Sequence, residues 1–232
     1  MVFYTRDLRK FEVDICPKLS IGDGVSSMVY RNDDMAIKLY YDWAKTTFMS
    51  ECRFDALSSV KSDNYIELHD LIMKVKAYDP EKYIRENGFK IDGYTARYYV
   101  QDETNPMFKP SSYLISNIEG LQELTEQLVK KRIRLRDIDV ENTILTKDKI
   151  VLIDPDLYEV TSESKKELRM GNTYEIFFLI KLIMYGYSGE LQDSVMNYFT
   201  EFEEQNAFEC LDQVKRELSR VRTPIEMFEK RA

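Results

Sequence analysis

The stretch from Leu135 to Asp154 restricts this chain more than any other. Two apolar runs, Thr143-Ile144-Leu145 and Ile150-Val151-Leu152-Ile153, are separated by the polar Thr146-Lys147-Asp148-Lys149. A short polar break between runs of branched aliphatic side chains reads as a turn joining two antiparallel strands. Polar chemistry stands at both outer ends: Asp137, Asp139 and Asn142 precede the first strand, and Asp154 and Asp156 follow the second. Buried strand, then exposed acid, is the expected design.

Composition sets what a fold carrying this hairpin must accommodate. The 232 residues suit one domain of two lobes or two small domains, and 44% hydrophobic residues with 12% aromatics suffice for a packed core. An ordered chain is therefore expected. The net charge of -8 supplies no general field for nucleic acid or anionic lipid, so neither is expected as a partner. Cys16, Cys52 and Cys210 lie far apart, without the spacing of a zinc site or a disulfide framework, which fits a reducing, cytoplasmic location. The N-terminus lacks the apolar core of a signal peptide, and Ile176 to Tyr187 is short for a membrane span and contains Lys181, so it reads as a buried helix.

Strands are expected around Gly22 to Gly24, at Ser27 to Arg31 and at Met35 to Tyr40, with Asn32-Asp33-Asp34 as the turn between the last two. A helix follows over Thr46 to Val60, where Phe48, Cys52, Ala56 and Ser59 share a face. Two more strands, Tyr65 to Met73 and Tyr94 to Val100, flank a polar insertion at Asp79 to Asp92. Gln101 to Pro110 is the expected connector. Helices follow at Ser111 to Lys131, Thr173 to Tyr185, Glu190 to Glu204 and Phe208 to Arg220, with Pro224 ending the regular structure.

Several strings along this order carry chemistry. Gly22-Asp23-Gly24-Val25-Ser26-Ser27-Met28-Val29 opens the meander, Met35-Ala36-Ile37-Lys38 forms its last strand, and Glu51 sits on the next helix. Asp137-Ile138-Asp139-Val140-Glu141-Asn142-Thr143-Ile144-Leu145 and Asp154-Pro155-Asp156 complete the set. In order and chemistry these resemble the protein-kinase-like superfamily, as a compact and divergent member, from about Leu19 to Tyr187.

The resemblance implies an α+β, two-lobed fold: an N-lobe antiparallel sheet with one helix over residues 1–101, and a mainly helical C-lobe over 102–232. It implies ATP and magnesium as cofactors. Gly22 and Gly24 would let the backbone approach phosphate oxygens, with Ser27 in place of a third glycine and Val29 beside them. Ala36 would leave room for the adenine ring while Lys38 reaches the α- and β-phosphates, paired with Glu51, or with Asp55 one turn later. Asp137 would act on the proton of the attacking hydroxyl, while Asn142 and Asp154 would hold magnesium; Asp156 would add a metal contact or else be a solvated turn residue.

Departures from the family pattern limit the likeness. Leu135 stands where the family has His before Arg-Asp, keeping apolar packing and losing a hydrogen bond. Asp139 stands where protein serine/threonine kinases carry a lysine that neutralises the transferred phosphate, so a carboxylate pointing there would add repulsion. Pro155 removes the Phe of Asp-Phe-Gly, and no Ala-Pro-Glu follows before Thr173. Thr161, Ser162 and Ser164 are modifiable in principle. His69, the sole histidine, reads as packing or surface, as do Trp43 and the tyrosines, and Glu201-Phe202-Glu203-Glu204 reads as a solvated helix face.

The expectation is therefore an ATP-dependent kinase transferring the γ-phosphate to a hydroxyl, on a protein or on a small molecule. The alternatives are a pseudokinase acting as a nucleotide-binding interaction module and an ordinary α+β interaction domain. Retention of Lys38, Glu51, Asp137, Asn142 and Asp154 together favours the active enzyme.

Overall fold

The computed structural model describes residues 2–41, 51–73, 93–97, 111–184 and 207–220. Expectations for residues 46–50, the insertion at 79–92, the connector at 101–110, the helix at 190–204, Trp43 and Pro224 lie outside the described residues. The chain is α+β and forms two compact units, Met1–Ser59 with Ile66–Tyr99, and Val60–Tyr65 with Val100–Ala232.

The first unit is built on an antiparallel seven-stranded sheet. Its strands are β1 (Val2–Thr5), β2 (Lys10–Glu12), β3 (Ser20–Asp23), β4 (Ser27–Asn32), β5 (Met35–Tyr40), β6 (Leu68–Met73) and β7 (Gly93–Arg97), in the order β2-β1-β6-β7-β5-β4-β3. Alternation explains β5: Met35, Ile37 and Leu39 share one face and join Phe3, Phe11, Val13, Ile15, Met28 and Tyr30 in the core. The β4–β5 turn holds Asp33 at φ 50°, a left-handed conformation that Asp tolerates in a tight hairpin. Gly93 pairs with Leu39, and a Cβ at that position would run into the backbone carbonyl of Lys38, so only glycine allows this approach.

The hairpin β1–β2 was absent from the expected meander and adds two strands beyond β6. Its signal was available in Val2-Phe3-Tyr4-Thr5, a run of strand formers that alternates into the core through Phe3 and Thr5. Helix α1 (Glu51–Ser58) stops before Val60 because the hydroxyls of Ser58 and Ser59 donate to the carbonyls of Asp55 and Ala56, 3.4 and 2.6 Å away. Strand β6 starts at Leu68 rather than Tyr65; Tyr65 instead makes a parallel bridge with Leu152 in the second unit.

In the second unit, α2 (Ser111–Lys130) packs on α3 (Lys165–Met184) and α4 (Ala207–Arg220), which also pack on each other. Leu114, Ile118, Leu121, Leu124 and Leu128 recur at spacings of three and four and are wholly buried, giving α2 one apolar stripe. Helix α3 begins at Lys165, well before Thr173, because Ser164 and Glu167 form a capping box. The Ser164 N–H donates to Glu167 Oε2 at 2.9 Å, and the Glu167 N–H donates to Ser164 Oγ at 3.2 Å. Charged residues in that first turn hide the helix from a search for apolar periodicity.

Two short antiparallel pairs complete this unit, β9 (Thr143–Leu145) with β10 (Ile150–Leu152), and β8 (Ile133–Arg134) with β11 (Glu159–Val160). A buried amide pair secures the hairpin. Asn64 Nδ2 donates to Asn117 Oδ1 at 2.9 Å and to the Ile150 carbonyl at 2.8 Å, while the Ile150 N–H donates to Asn117 Oδ1 at 2.6 Å. Segment Val60–Tyr65, helix α2 and the hairpin are thereby joined, and Gly120 is required where the Asn64 amide lies against α2.

Candidate functional site

The loop from Leu135 to Asn142 starts from a fixed base. Leu135 is wholly buried, as its apolar character implied, and its N–H donates to Asn172 Oδ1 at 2.8 Å. Asn172, buried on α3, returns a bond from Nδ2 to the Ile133 carbonyl at 2.9 Å. A single amide thus satisfies two backbone groups in β8 and at the loop entry, which the core would otherwise leave unpaired. Sequence reasoning passed over Asn172, because nothing local distinguishes it from a helix-surface amide.

Asp137 follows at φ 57°, in the left-handed region that non-glycine residues occupy at a cost of about 1 to 3 kcal/mol. Asn142 holds it there. Its Nδ2 donates to both the Asp137 carbonyl and Asp137 Oδ2, at 2.9 Å each. With the amide nitrogen turned to Asp137, Asn142 Oδ1 is left as the acceptor of this side chain. Asp139 turns inward: its Oδ1 accepts the N–H groups of Glu141 and Asn142 at 2.8 Å each, and its carbonyl accepts Thr143 Oγ1 at 2.6 Å. Arg136 reaches Glu159 at 3.4 Å.

Hairpin register carries the arrangement on to Asp154. Thr143 pairs with Leu152, and beyond that pair the Ile153 N–H donates to the Asn142 carbonyl at 3.0 Å. Asp154 comes next at φ 56° and ψ 62°, so both candidate acids sit in left-handed backbone. Asp137 and Asn142 are in direct contact, and Asn142 is tied to the residue preceding Asp154.

Asp156, in the short turn Pro155–Leu157, is 5% exposed and is not a solvated turn residue. Beside it the rings of Tyr65 and Tyr158 stack, with centroids 6.3 Å apart. Burial, then the negative charge of Asp156, pushes the Tyr65 phenol well above its ordinary pKa. Burial, then Tyr65 and the acids Asp154, Glu175 and Asp137, does the same for Tyr158. Both phenols therefore stay neutral, giving the Asp154 corner an uncharged aromatic backing.

The remaining candidates lie in the first unit. Gly22 pairs with Val29, and the Gly24 N–H donates to the Ser27 carbonyl at 3.0 Å, closing the β3–β4 turn. Ser27 is buried; Val29 and Ala36 are half-buried, and Val29 lies opposite Lys38 across β4 and β5. Lys38 is 6% exposed on a strand flanked by β4 and β7, so it lies within the sheet and away from its edges. Its Nζ lies 5.5 Å from the Tyr40 ring centroid, a cation–π contact.

Glu51 opens α1, and its side chain lies outside the described residues. Asp55, the alternative partner for Lys38, is instead 3.6 Å from Arg6, which also meets Asp70 at 2.6 Å. His69 lies 3.9 Å from Glu67. The Ser164 hydroxyl is committed to its helix cap.

Among the described residues, no group of three or more His, Cys, Asp or Glu side chains is placed to hold a metal ion, and no helix is long and apolar enough to cross a membrane. No protein-family model matches this chain, and no curated protein matches it in sequence.

Proposed function

We propose that this protein is an ATP-dependent phosphotransferase of the kinase-like type, transferring a γ-phosphate to a hydroxyl. The observation that carries the reading is the joint geometry of Asp137, Asn142 and Asp154. Both acids occupy left-handed backbone, and one asparagine is bonded to the first acid and to the residue before the second. An asparagine whose side chain is bonded to the first acid and whose carbonyl is bonded to the strand leading to the second is more order than an ordinary surface turn needs.

In this reading Asp137 orients the acceptor hydroxyl and receives its proton. Hard oxygens suit magnesium, and Asn142 Oδ1 with the Asp154 carboxylate would hold it, the rest of its shell coming from water and phosphate oxygens. The ion would offset negative charge during transfer. Lys38, together with Gly22, Gly24, Ser27, Val29 and Ala36, is the candidate nucleotide contact of the first unit, and Glu51 its candidate ion-pair partner. The acceptor proposed is a protein hydroxyl. A small hydroxyl compound is the second reading, favoured by the start of α3 at Lys165, which leaves little chain after Asp154 for a peptide platform.

The test is labelled ATP with magnesium, the purified chain and separate protein and metabolite pools, beside an Asp154→Ala control. Label lost in the control supports the reading. Intact mass after incubation reads autophosphorylation directly. Turnover of a metabolite with no protein labelling overturns the protein acceptor, and an unchanged melting temperature at millimolar ATP and magnesium overturns the site itself.

A further inference from the structure

The inward turn of Asp139 carries an inference that rests on the phosphotransferase reading and deepens it. A carboxylate at this place would repel a transferring phosphate if it faced it. Here one oxygen is committed to two backbone N–H groups, those of Glu141 and Asn142, and the residue's own carbonyl takes the Thr143 hydroxyl. Val140 and Glu141, at the crest of the turn, are exposed and add no packing that would hold it otherwise.

The chain of dependence is short. Asp139 Oδ1 fixes the Asn142 backbone, and Asn142 Nδ2 in turn holds both the carbonyl and the carboxylate of Asp137. Asp137 keeps its left-handed backbone within that frame. We propose that Asp139 is a positioning residue: it shapes the turn that aims Asn142 Oδ1 and Asp137, and takes no direct part in phosphate electrostatics.

This reading orders substitutions differently from a charge reading. Asn keeps an Oδ1 acceptor of the same reach, whereas Ala and Lys supply none. If Asp139 acted by charge, Lys would be the best replacement and Ala would be harmless. If it acts by position, Asp139→Asn resembles the parent, and Asp139→Ala and Asp139→Lys fail together.

The experiment compares the full chain with Asp139→Asn, Asp139→Ala, Asp139→Lys and Asn142→Ala. One readout is backbone amide hydrogen exchange at Glu141 and Asn142 by NMR, which needs no ligand. The other is the magnesium concentration at half-maximal ATP-dependent rise in melting temperature. Asp139→Asn should keep both protected amides and a magnesium midpoint within about twofold of the parent. Asp139→Ala and Asp139→Lys should lose the protection and raise the midpoint about tenfold, the scale of one lost charge-assisted hydrogen-bond pair. Should Asp139→Ala fail to fold, Asp139→Asn against Asp139→Lys makes the same distinction.

Protected amides in Asp139→Ala, or a lower midpoint in Asp139→Lys than in Asp139→Asn, would overturn the positioning role alone, provided Asn142→Ala still impairs magnesium coupling. No ATP-dependent rise in the parent chain would overturn the phosphotransferase reading and this inference with it.

Discussion

The two units hold their candidate residues by opposite means. In the first, Lys38, Ala36 and Val29 sit on β4 and β5, where backbone ladders fix their places whatever side chains they carry. In the second, Asp137, Asn142 and Asp154 sit on loop ends, and their places depend on named side chains: Asn172 beneath Leu135, Asp139 under the turn, and Asn142 across to Asp137. A ladder spreads the work over many equivalent bonds. A loop concentrates it in a few, so single substitutions there should act through geometry as well as chemistry.

The largest expected effect tests the loop. On the proposed phosphotransferase reading, Asp137→Asn should lower kcat by about a thousandfold while ATP still raises the melting temperature, since it removes the proposed base and leaves the Asn142 contact largely in place. A loss under tenfold would remove Asp137 from the reacting centre. Substitutions in the ladder strands at Ala36 or Val29 of similar size should change the nucleotide KM more than kcat; the reverse split would break the comparison.

Next comes the one position where the ladder itself is vulnerable. Gly93→Ala drives a Cβ into the Lys38 carbonyl, and urea denaturation should show a loss of about 3 kcal/mol. An unchanged midpoint would mean that the sheet gives way easily there. On the loop side, Asn172→Ala leaves the Leu135 N–H and the Ile133 carbonyl buried without their partner. The expected cost is roughly 2 to 3 kcal/mol, with a fall in kcat beyond what the residual folded fraction explains.

The smallest effect lies away from both. Arg169 hydrogen-bonds Glu126 and holds its carboxyl below the usual range. A lowered folded pKa means the contribution is present above the ordinary carboxylate pKa and is lost as pH falls through the lowered one. Arg169→Ala should therefore be slightly less stable at pH 7 and should converge with the parent in acid. The pair is largely solvated, so the gap should stay under about 1 kcal/mol. A gap that widened towards low pH would reverse the assignment.

Much of the fold could be read from local pattern. Strand β5 matched its expected bounds because alternation is a two-residue signal, and α2 showed itself through leucines at helical spacing. What escaped was either short or masked by charge. The hairpin β1–β2 has few residues to alternate, and the first turns of α3 are Lys165-Lys166-Glu167, whose helical commitment rests on a capping box rather than an apolar face. Tyr65 looked like the start of a strand because it adjoins Ile66 and Leu68. Its strand-like pairing belongs instead to Leu152, a partner remote in sequence.

The candidate site divides along the same line. Residue types and spacing determined which groups stand at the ends of the β9–β10 hairpin, because a tight turn between apolar strands brings Asn142 level with Ile153 whatever surrounds it. Tertiary structure decided what those groups face. That Asp139 bonds the backbone of its own turn, that Asp156 is buried, that Asp55 meets Arg6, and that Asn172 holds the loop entry are outcomes of competition among polar groups for partners. Apolar periodicity is a property of neighbouring residues and survives in the linear chain. The choice of a hydrogen-bond partner depends on which donors and acceptors lose water together, and that is set only when distant segments pack.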